Sequence, residues 1–171
     1  MEHTVFIDRN KIQKRIKELG GEIGRFYKDK TPFQLITVLK GGFIFLADLV
    51  REINLPLEVD FTQISTYENQ TQSSGKIKFI KKITEPVTNK HVLIVEDIID
   101  TGFTLNFLYK EIKKQNPKSI EIAALLVKKN KHKLKYPIHF TGFEIEDKFV
   151  IGYGLDYQGM YRNLPFISIL E

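Results

Sequence analysis

Apolar positions recur at steps of four and three after Asp8: Ile12, Ile16, Leu19, Ile23 and Phe26. That spacing predicts an amphipathic helix with Asp8 as its N-cap. Gln34 to Leu39 then reads as a strand, ending at Lys40-Gly41-Gly42, and Phe45, Leu46, Leu49, Val50 and Ile53 mark a second helix. Leu57 to Thr66 alternates at Leu57, Val59 and Phe61, and Lys76 to Ile83 alternates with Ile77, Phe79 and Lys81 on one face. The two alternating runs predict a β-arm. Between them, Glu68 to Gly75 is polar and turn-rich, which predicts a flexible loop.

A different pattern starts at His91. His91 to Val95 is a short, continuously apolar run, as expected of a strand buried on both faces, and Glu96-Asp97 close it. A helix is predicted from about Gly102 and Thr104 toward Pro117, then a strand from Ile120 to Val127. His139–Glu144, Lys148–Gly152 and Phe166–Leu170 read as short strands. Strand-helix-strand alternation over the first two-thirds predicts an α/β fold with a mostly parallel central sheet flanked by helices. Such sheets bind ligands beyond the carboxyl ends of their strands, so candidate chemistry belongs there.

Composition narrows the function classes. With 171 residues and no linker, repeat or low-complexity tract, one domain over residues 1–171 is expected. The absence of cysteine excludes a disulfide scaffold, a thiol nucleophile and a cysteine-ligated metal in this sequence. No stretch free of Asp, Glu, Lys and Arg exceeds nine residues, so no membrane-spanning helix is expected. MEHTVFIDRN lacks the apolar core of a secretory signal, which makes the cytoplasm the expected compartment. The net charge of +5 is concentrated in KKNKHKLK, Lys128 to Lys135. A basic balance suits nucleic acid, a membrane surface or a small polyanion. Without interleaved Arg and aromatic residues, most of this run reads as a solvated basic loop, and nucleic acid is not the expected partner.

The segment of greatest chemical interest is VLIVEDIIDTGFTL, Val92 to Leu105. It delivers adjacent carboxylates, Glu96 and Asp97, at the end of a buried strand. Asp100 follows, and Thr101-Gly102-Phe103-Thr104 turns into a helix. Helix-start N–H groups, two hydroxyls and a small Gly make a phosphate cradle. Carboxylates beside a phosphate call for ribose hydroxyls, magnesium or proton transfer to explain them. Alone, Asp100 would read as a helix cap and Glu96-Asp97 as a solvated strand end; the whole strand–carboxylate–turn–helix sequence favours the cradle. The pattern is neither Walker A nor the dinucleotide fingerprint.

The run resembles the phosphoribosyl-diphosphate (PRPP) motif of type I phosphoribosyltransferases. Leu39-Lys40-Gly41-Gly42 is similar to that family's first active-site loop, Thr66-Tyr67 with Ser73-Ser74-Gly75 to its closing loop, and Gly142 to Pro165 to the C-terminal block of its hypoxanthine-guanine members. The resemblance extends from about Asp8 onward. It implies the type I fold with a flexible β-arm loop and a small hood, and transfer of the phosphoribosyl group of PRPP to a 6-oxopurine with Mg2+.

By the same resemblance, Glu96 and Asp97 engage the ribose hydroxyls and Asp100 acts at purine N7. Thr101, Gly102, Phe103 and Thr104 hold the 5′-phosphate. Lys40, Gly41 and Arg162 hold pyrophosphate, with a cis peptide at Leu39-Lys40. Lys128 reads the 6-oxo group, Phe149 stacks on the base and the Val150 backbone bonds its edge. Asp156 supports magnesium beside the base, with Glu96 and Asp97 as further candidate metal ligands. Thr66 and Tyr67 belong to the closing element. A homodimer or homotetramer is implied. Phe103 stands where many members carry Lys, with its side chain expected to point away from the phosphate, and Gly42 where Ser is common. Isolated from the others, Lys128 would read as a solvated charge, Phe149 as core and Arg162 as surface; their joint order carries the resemblance. His3, His91, His132 and His139 match no site. Two alternatives stay open: a xanthine-preferring enzyme, and a PRPP-fold regulator that contacts nucleic acid through the basic run.

Overall fold

The computed structural model describes residues 3–67, 76–129 and 131–170. A six-stranded sheet carries the structure in the order β4-β3-β2-β5-β6-β7. Its strands are β2 (Phe33–Leu39), β3 (Glu58–Tyr67), β4 (Lys76–Lys81), β5 (His91–Ile99), β6 (Ser119–Lys128) and β7 (Phe140–Ile145). All neighbours pair in parallel except β3 with β4. A second sheet, ordered β1-β9-β8, joins β1 (His3–Ile7), β8 (Val150–Ile151) and β9 (Ile167–Leu170) in antiparallel pairs and forms the hood.

Two helices pack on one face of the large sheet, α1 (Arg9–Tyr27) and α2 (Phe43–Glu52). Their apolar sides meet Phe33, Leu35, Leu93, Val95 and Leu125 in one core. On the other face α3 (Phe103–Lys113) brings Leu105, Leu108 and Ile112 against Ile36, Ile94 and Ile122. Asp8 caps α1 as expected, accepting from Lys11 N–H at 3.0 Å. At the last turn of α1 the inward residue is Tyr27, fully buried and stacked on Phe33, whereas Phe26 is exposed with the Lys30 ammonium over its ring. After Ile23 both a step of three and a step of four suit a helix, and packing selects the latter.

Three further expectations are corrected. The strand after His91 does not close at Val95 but continues through both carboxylates to Ile99, because Ile98 and Ile99 still pair with Leu126 and Val127. In β3 the buried positions are Asp60 and Thr62, while Val59 is exposed. Asp60 is tolerated there because it accepts N–H bonds from Phe61, Thr84 and Glu85 and pairs with Lys81. Burial pushes its carboxyl up, but these donors prevail and hold it below the ordinary value. Strand β4 stops at Lys81, two residues short of Ile83. The loop expected at Glu68 to Gly75 lies outside the described residues.

Candidate active site

The chain leaves β2 for β3 on one side and returns to β5 on the other. The loops after β2 and β5 therefore diverge, opening a crevice at the carboxyl ends of the strands. A cleft of about 410 Å³ occupies this place. Gly41 borders it from the first loop, Glu96 and Asp97 from β5, Asp100 from the following turn, Thr104 from the start of α3, and Lys128 from β6. Phe149, Val150, Asp156 and Arg162 border it from the hood. A hollow of about 120 Å³ shares Glu96, Asp100 and Thr104 with the cleft and is walled by Thr101, Gly102 and Phe103.

The hollow has the construction of an anion site. Helix α3 begins after Gly102, which has no side chain to cap it, and Phe103 N–H reaches Thr101 Oγ1 only at 3.5 Å. Uncapped first-turn N–H groups and the positive end of the helix dipole favour a phosphate. Gly102 has φ +80°, a left-handed conformation that suits glycine. A Cβ there would also lie 3.1 Å from Leu134 N, so the segment after β6 packs directly on the turn. Phe103 is 56% exposed and also borders the hollow.

Glu96 and Asp97 are both buried, and Glu96 Oε1 has no hydrogen-bond partner. An orphaned buried carboxylate oxygen at a cleft wall suits a polar ligand. Burial, with Asp97 beside it, pushes the Glu96 carboxyl well above its ordinary value. Burial likewise raises Asp97 to about 6, against the N–H bond from Ile98 and the Arg162 charge, which favour its ionised form. Between about pH 4 and pH 6 the folded chain holds a proton that the unfolded chain has lost, so stability falls as pH rises through that window. Asp97→Asn is therefore expected to stabilise the protein at pH 7, without substrate or magnesium, by about 1–3 kcal/mol. Thermal melting should show a Tm roughly 2–10 °C higher than wild type, with the gap narrowing toward pH 4. An unchanged Tm at pH 7 would refute this account of the buried pair.

Gly41 sits against this pair: a Cβ on it would fall 1.9 Å from Asp97 Oδ2. Gly42 is similarly constrained, since a Cβ there would fall 2.1 Å from Thr37 Oγ1, which donates to Val95 O. The expected cis peptide at Leu39-Lys40 is present, and the Lys40 side chain is exposed rather than part of the cleft wall. Thr66 and Tyr67 end β3, paired with Ile77 and Lys76 of β4.

The hood contributes a half-exposed aromatic ring. Phe149 is 52% exposed and meets Tyr157 edge-on at 5.9 Å, leaving ring surface accessible at the cleft. It is therefore not the core residue that its isolated sequence would suggest. Arg162 pairs with Asp156 at 2.6 Å and donates to Gly154 O at 2.6 Å, so in this state it ties the hood turn together. Asp156 also accepts from Gly159 N–H.

The basic run differs most from expectation. Lys128 is buried, with its ammonium 3.2 Å from Asp100 Oδ2 and 2.9 Å from Asp147 Oδ1. Lys131 is not a solvated charge either: it lies 2.9 Å from Asp100 Oδ1 and 2.7 Å from Asp147 Oδ1. The carboxylates of Asp147 and then Asp100 raise the Lys131 ammonium above its ordinary value, and the ammonium groups of Lys131 and then Lys128 lower Asp147. Neither Lys131 nor Asp147 stood out in the sequence. The only available signal was their position, one just after a strand end and the other two residues before Phe149. Of the histidines, His91 bonds Ser119 and His139 pairs with Glu121, both away from the cleft.

Among the described residues, no three His, Cys, Asp or Glu cluster closely enough to hold a metal ion alone. The expected set Glu96, Asp97 and Asp156 is thus not a self-sufficient cage. It does fit magnesium in the form in which that ion is held by one or two carboxylates and substrate phosphates.

Comparison with known proteins places these features in one family. Residues 7–158 match the phosphoribosyl transferase domain family. The hypoxanthine-guanine phosphoribosyltransferase of Bacillus subtilis is 46% identical over 167 residues, covering 98% of this chain and 92% of the relative. The hypoxanthine phosphoribosyltransferase of Haemophilus influenzae is 42% identical over 166 residues, covering 96% and 93%. A crystal structure of a hypoxanthine phosphoribosyltransferase from Staphylococcus aureus superposes with a TM-score of 0.93 at 39% identity, covering 98% of this chain and 91% of that one.

Proposed function

The chain belongs to the phosphoribosyl transferase family, and from that membership we propose its reaction and the role of each residue. It is a purine-salvage enzyme that transfers the 5-phosphoribosyl group of PRPP to N9 of hypoxanthine or guanine, giving IMP or GMP and pyrophosphate. The observation that carries the residue roles is the convergence of three features on one cleft. These are the buried Glu96-Asp97 pair, the uncapped start of α3, and a buried ammonium, Lys128, near the half-exposed Phe149 ring.

The 5′-phosphate binds at the start of α3, among Thr101, Gly102, Phe103 and Thr104, where backbone N–H groups await an anion. Glu96 and Asp97 accept from the ribose hydroxyls. This supplies the partner that Glu96 Oε1 lacks. The base lies on Phe149 with its 6-oxo oxygen toward Lys128 and its edge toward Val150. The N9 lone pair then forms the bond to ribose C1 as the C1–oxygen bond to pyrophosphate breaks. Asp100 receives the N7 proton, and Lys40 and Arg162 stabilise the leaving charge. Magnesium, held with the diphosphate by Asp156 or the Glu96-Asp97 pair, supplies further neutralisation of that charge. Thr66 and Tyr67 belong to the element proposed to keep out water that would hydrolyse PRPP. A single domain, a cytoplasmic setting and a dimer or tetramer belong to the same proposal.

The test is direct. Protein, PRPP and magnesium are incubated with each base, and nucleotide formation is followed by absorbance. Turnover of hypoxanthine and guanine is the expected result, with xanthine used less well. PRPP binding without turnover of any base would instead favour a regulator. The structure weakens that rival, because Lys128 and Lys131 of the basic run are engaged by Asp100 and Asp147.

A further inference from the structure

Four charged side chains form a closed ring at the base end of the cleft. Lys128 and Lys131 each contact both Asp100 and Asp147, at 2.7 to 3.2 Å. Both oxygens of Asp100 therefore face an ammonium. The two contacts differ in kind. Lys128 to Asp100 Oδ2 is a hydrogen bond, whereas Asp100 Oδ1 is closed off from solvent and has no aligned donor although Lys131 is 2.9 Å away. An ion pair without directional hydrogen bonding is the weaker hold.

For Asp100 to receive a proton from the base, one oxygen must be freed. The Lys128 side chain is only 7% exposed at the end of β6. Lys131 is 34% exposed in the segment that follows, and it already donates a good bond to Asp147. It can give up Asp100 and remain paired. The titratable groups that surround Asp100 are Lys128 from β6, Lys131 after it, Asp147 from the loop before β8 and Glu96 from β5. Of these, Lys131 alone combines contact with Asp100, partial exposure and a second carboxylate to move to.

Resting on the role given to Asp100 above, we propose that Lys131 is the resting counterion of Asp100: it covers the oxygen that receives the purine N7 proton and withdraws onto Asp147 as the base enters. Lys131 is thus a positioning residue. It holds a cation against Asp100 while the enzyme awaits the base, and the entering base must displace it.

The experiment compares Lys131→Met and Lys131→Arg with wild type at saturating PRPP and magnesium, with Lys131→Gln as a second uncharged variant should Met impair folding. Losing the competing cation should lower KM for hypoxanthine about two- to fivefold, the worth of one partly exposed ion pair. KM for PRPP should not change. The acid limb of kcat/KM for the base should move to higher pH, because it reports the complex still awaiting the base. The acid limb of kcat should stay in place, because there Lys131 has already withdrawn. Lys131→Arg should keep the wild-type limbs. Unchanged limbs, limbs that move together, or equal effects on both KM values would overturn the proposal. Asp100→Asn is measured in parallel. If it loses kcat while Lys131→Met behaves as wild type, the counterion role alone falls. If Asp100→Asn retains kcat, the reading of Asp100 itself falls.

Discussion

Asp100→Asn is expected to lower kcat by roughly 10²–10⁴, the usual contribution of a positioned general base, with little change in PRPP affinity. Asparagine keeps the shape of the side chain and removes the proton acceptor. Asp100 lies outside β5 and before α3 and belongs to neither element. Lys128 would lose one counterion but keep Asp147 at 2.9 Å, so the buried ammonium is not left unpaired. PRPP affinity should persist because Asn keeps the shape of the one hollow-lining residue it replaces, and the start of α3 and the Glu96-Asp97 pair are unchanged. Steady-state kinetics with each substrate varied in turn would check both parts. A near-normal kcat would remove Asp100 from the mechanism.

The parts of this site that could be read in the sequence are those built by contiguous residues. One strand, one turn and one helix start deliver Glu96, Asp97, Asp100 and the phosphate hollow, and all fall within Val92 to Leu105. The buried run of β5 was legible for the same reason, although its end was not. Two carboxylates ordinarily stop a strand, and here they are buried within one at the cleft wall. Local patterning also did not reveal β1, because Val5 and Phe6 are exposed and its partner, β9, lies at the opposite end of the chain.

The ring around Asp100 was hidden for a related reason. Lys128 and Asp147 are 19 positions apart and Lys128 and Asp100 are 28 apart. Only the parallel register of β5, β6 and β7 brings their loops together. In sequence, Lys131 is one lysine in a run of five, which charge patterning reads as solvent-facing. The alternation of β3 misled in the opposite sense, because Asp60 is buried by backbone donors from the segment after β4 that no local pattern announces. The charged residues that depart from expectation are thus ones whose partners come from another element.

Base selection should show the second large effect. An ammonium has three donors and no acceptor, and two of the Lys128 donors are committed to Asp100 and Asp147. One remains, buried at the cleft, where it suits a single carbonyl oxygen. Hypoxanthine and guanine present that oxygen at the 6-position, whereas adenine presents an amino group, placing donor against donor. Leaving a buried donor unpaired costs about 1–3 kcal/mol, and more when it is charged. Sites built around such a bond reject the analogue lacking its partner by roughly 10⁴–10⁵. Adenine is therefore expected to be a negligible substrate for the wild-type enzyme. In Lys128→Ala, KM for hypoxanthine and guanine should rise far more than KM for PRPP, and discrimination against adenine should narrow. The variant also leaves Asp100 with Lys131 as its remaining cation, so some loss of kcat should accompany the rise in KM. Measuring kcat/KM for the three bases in both proteins decides the matter. Efficient use of adenine by the wild type, or an unchanged KM for hypoxanthine in the variant, would show that the 6-position is read by a group other than Lys128.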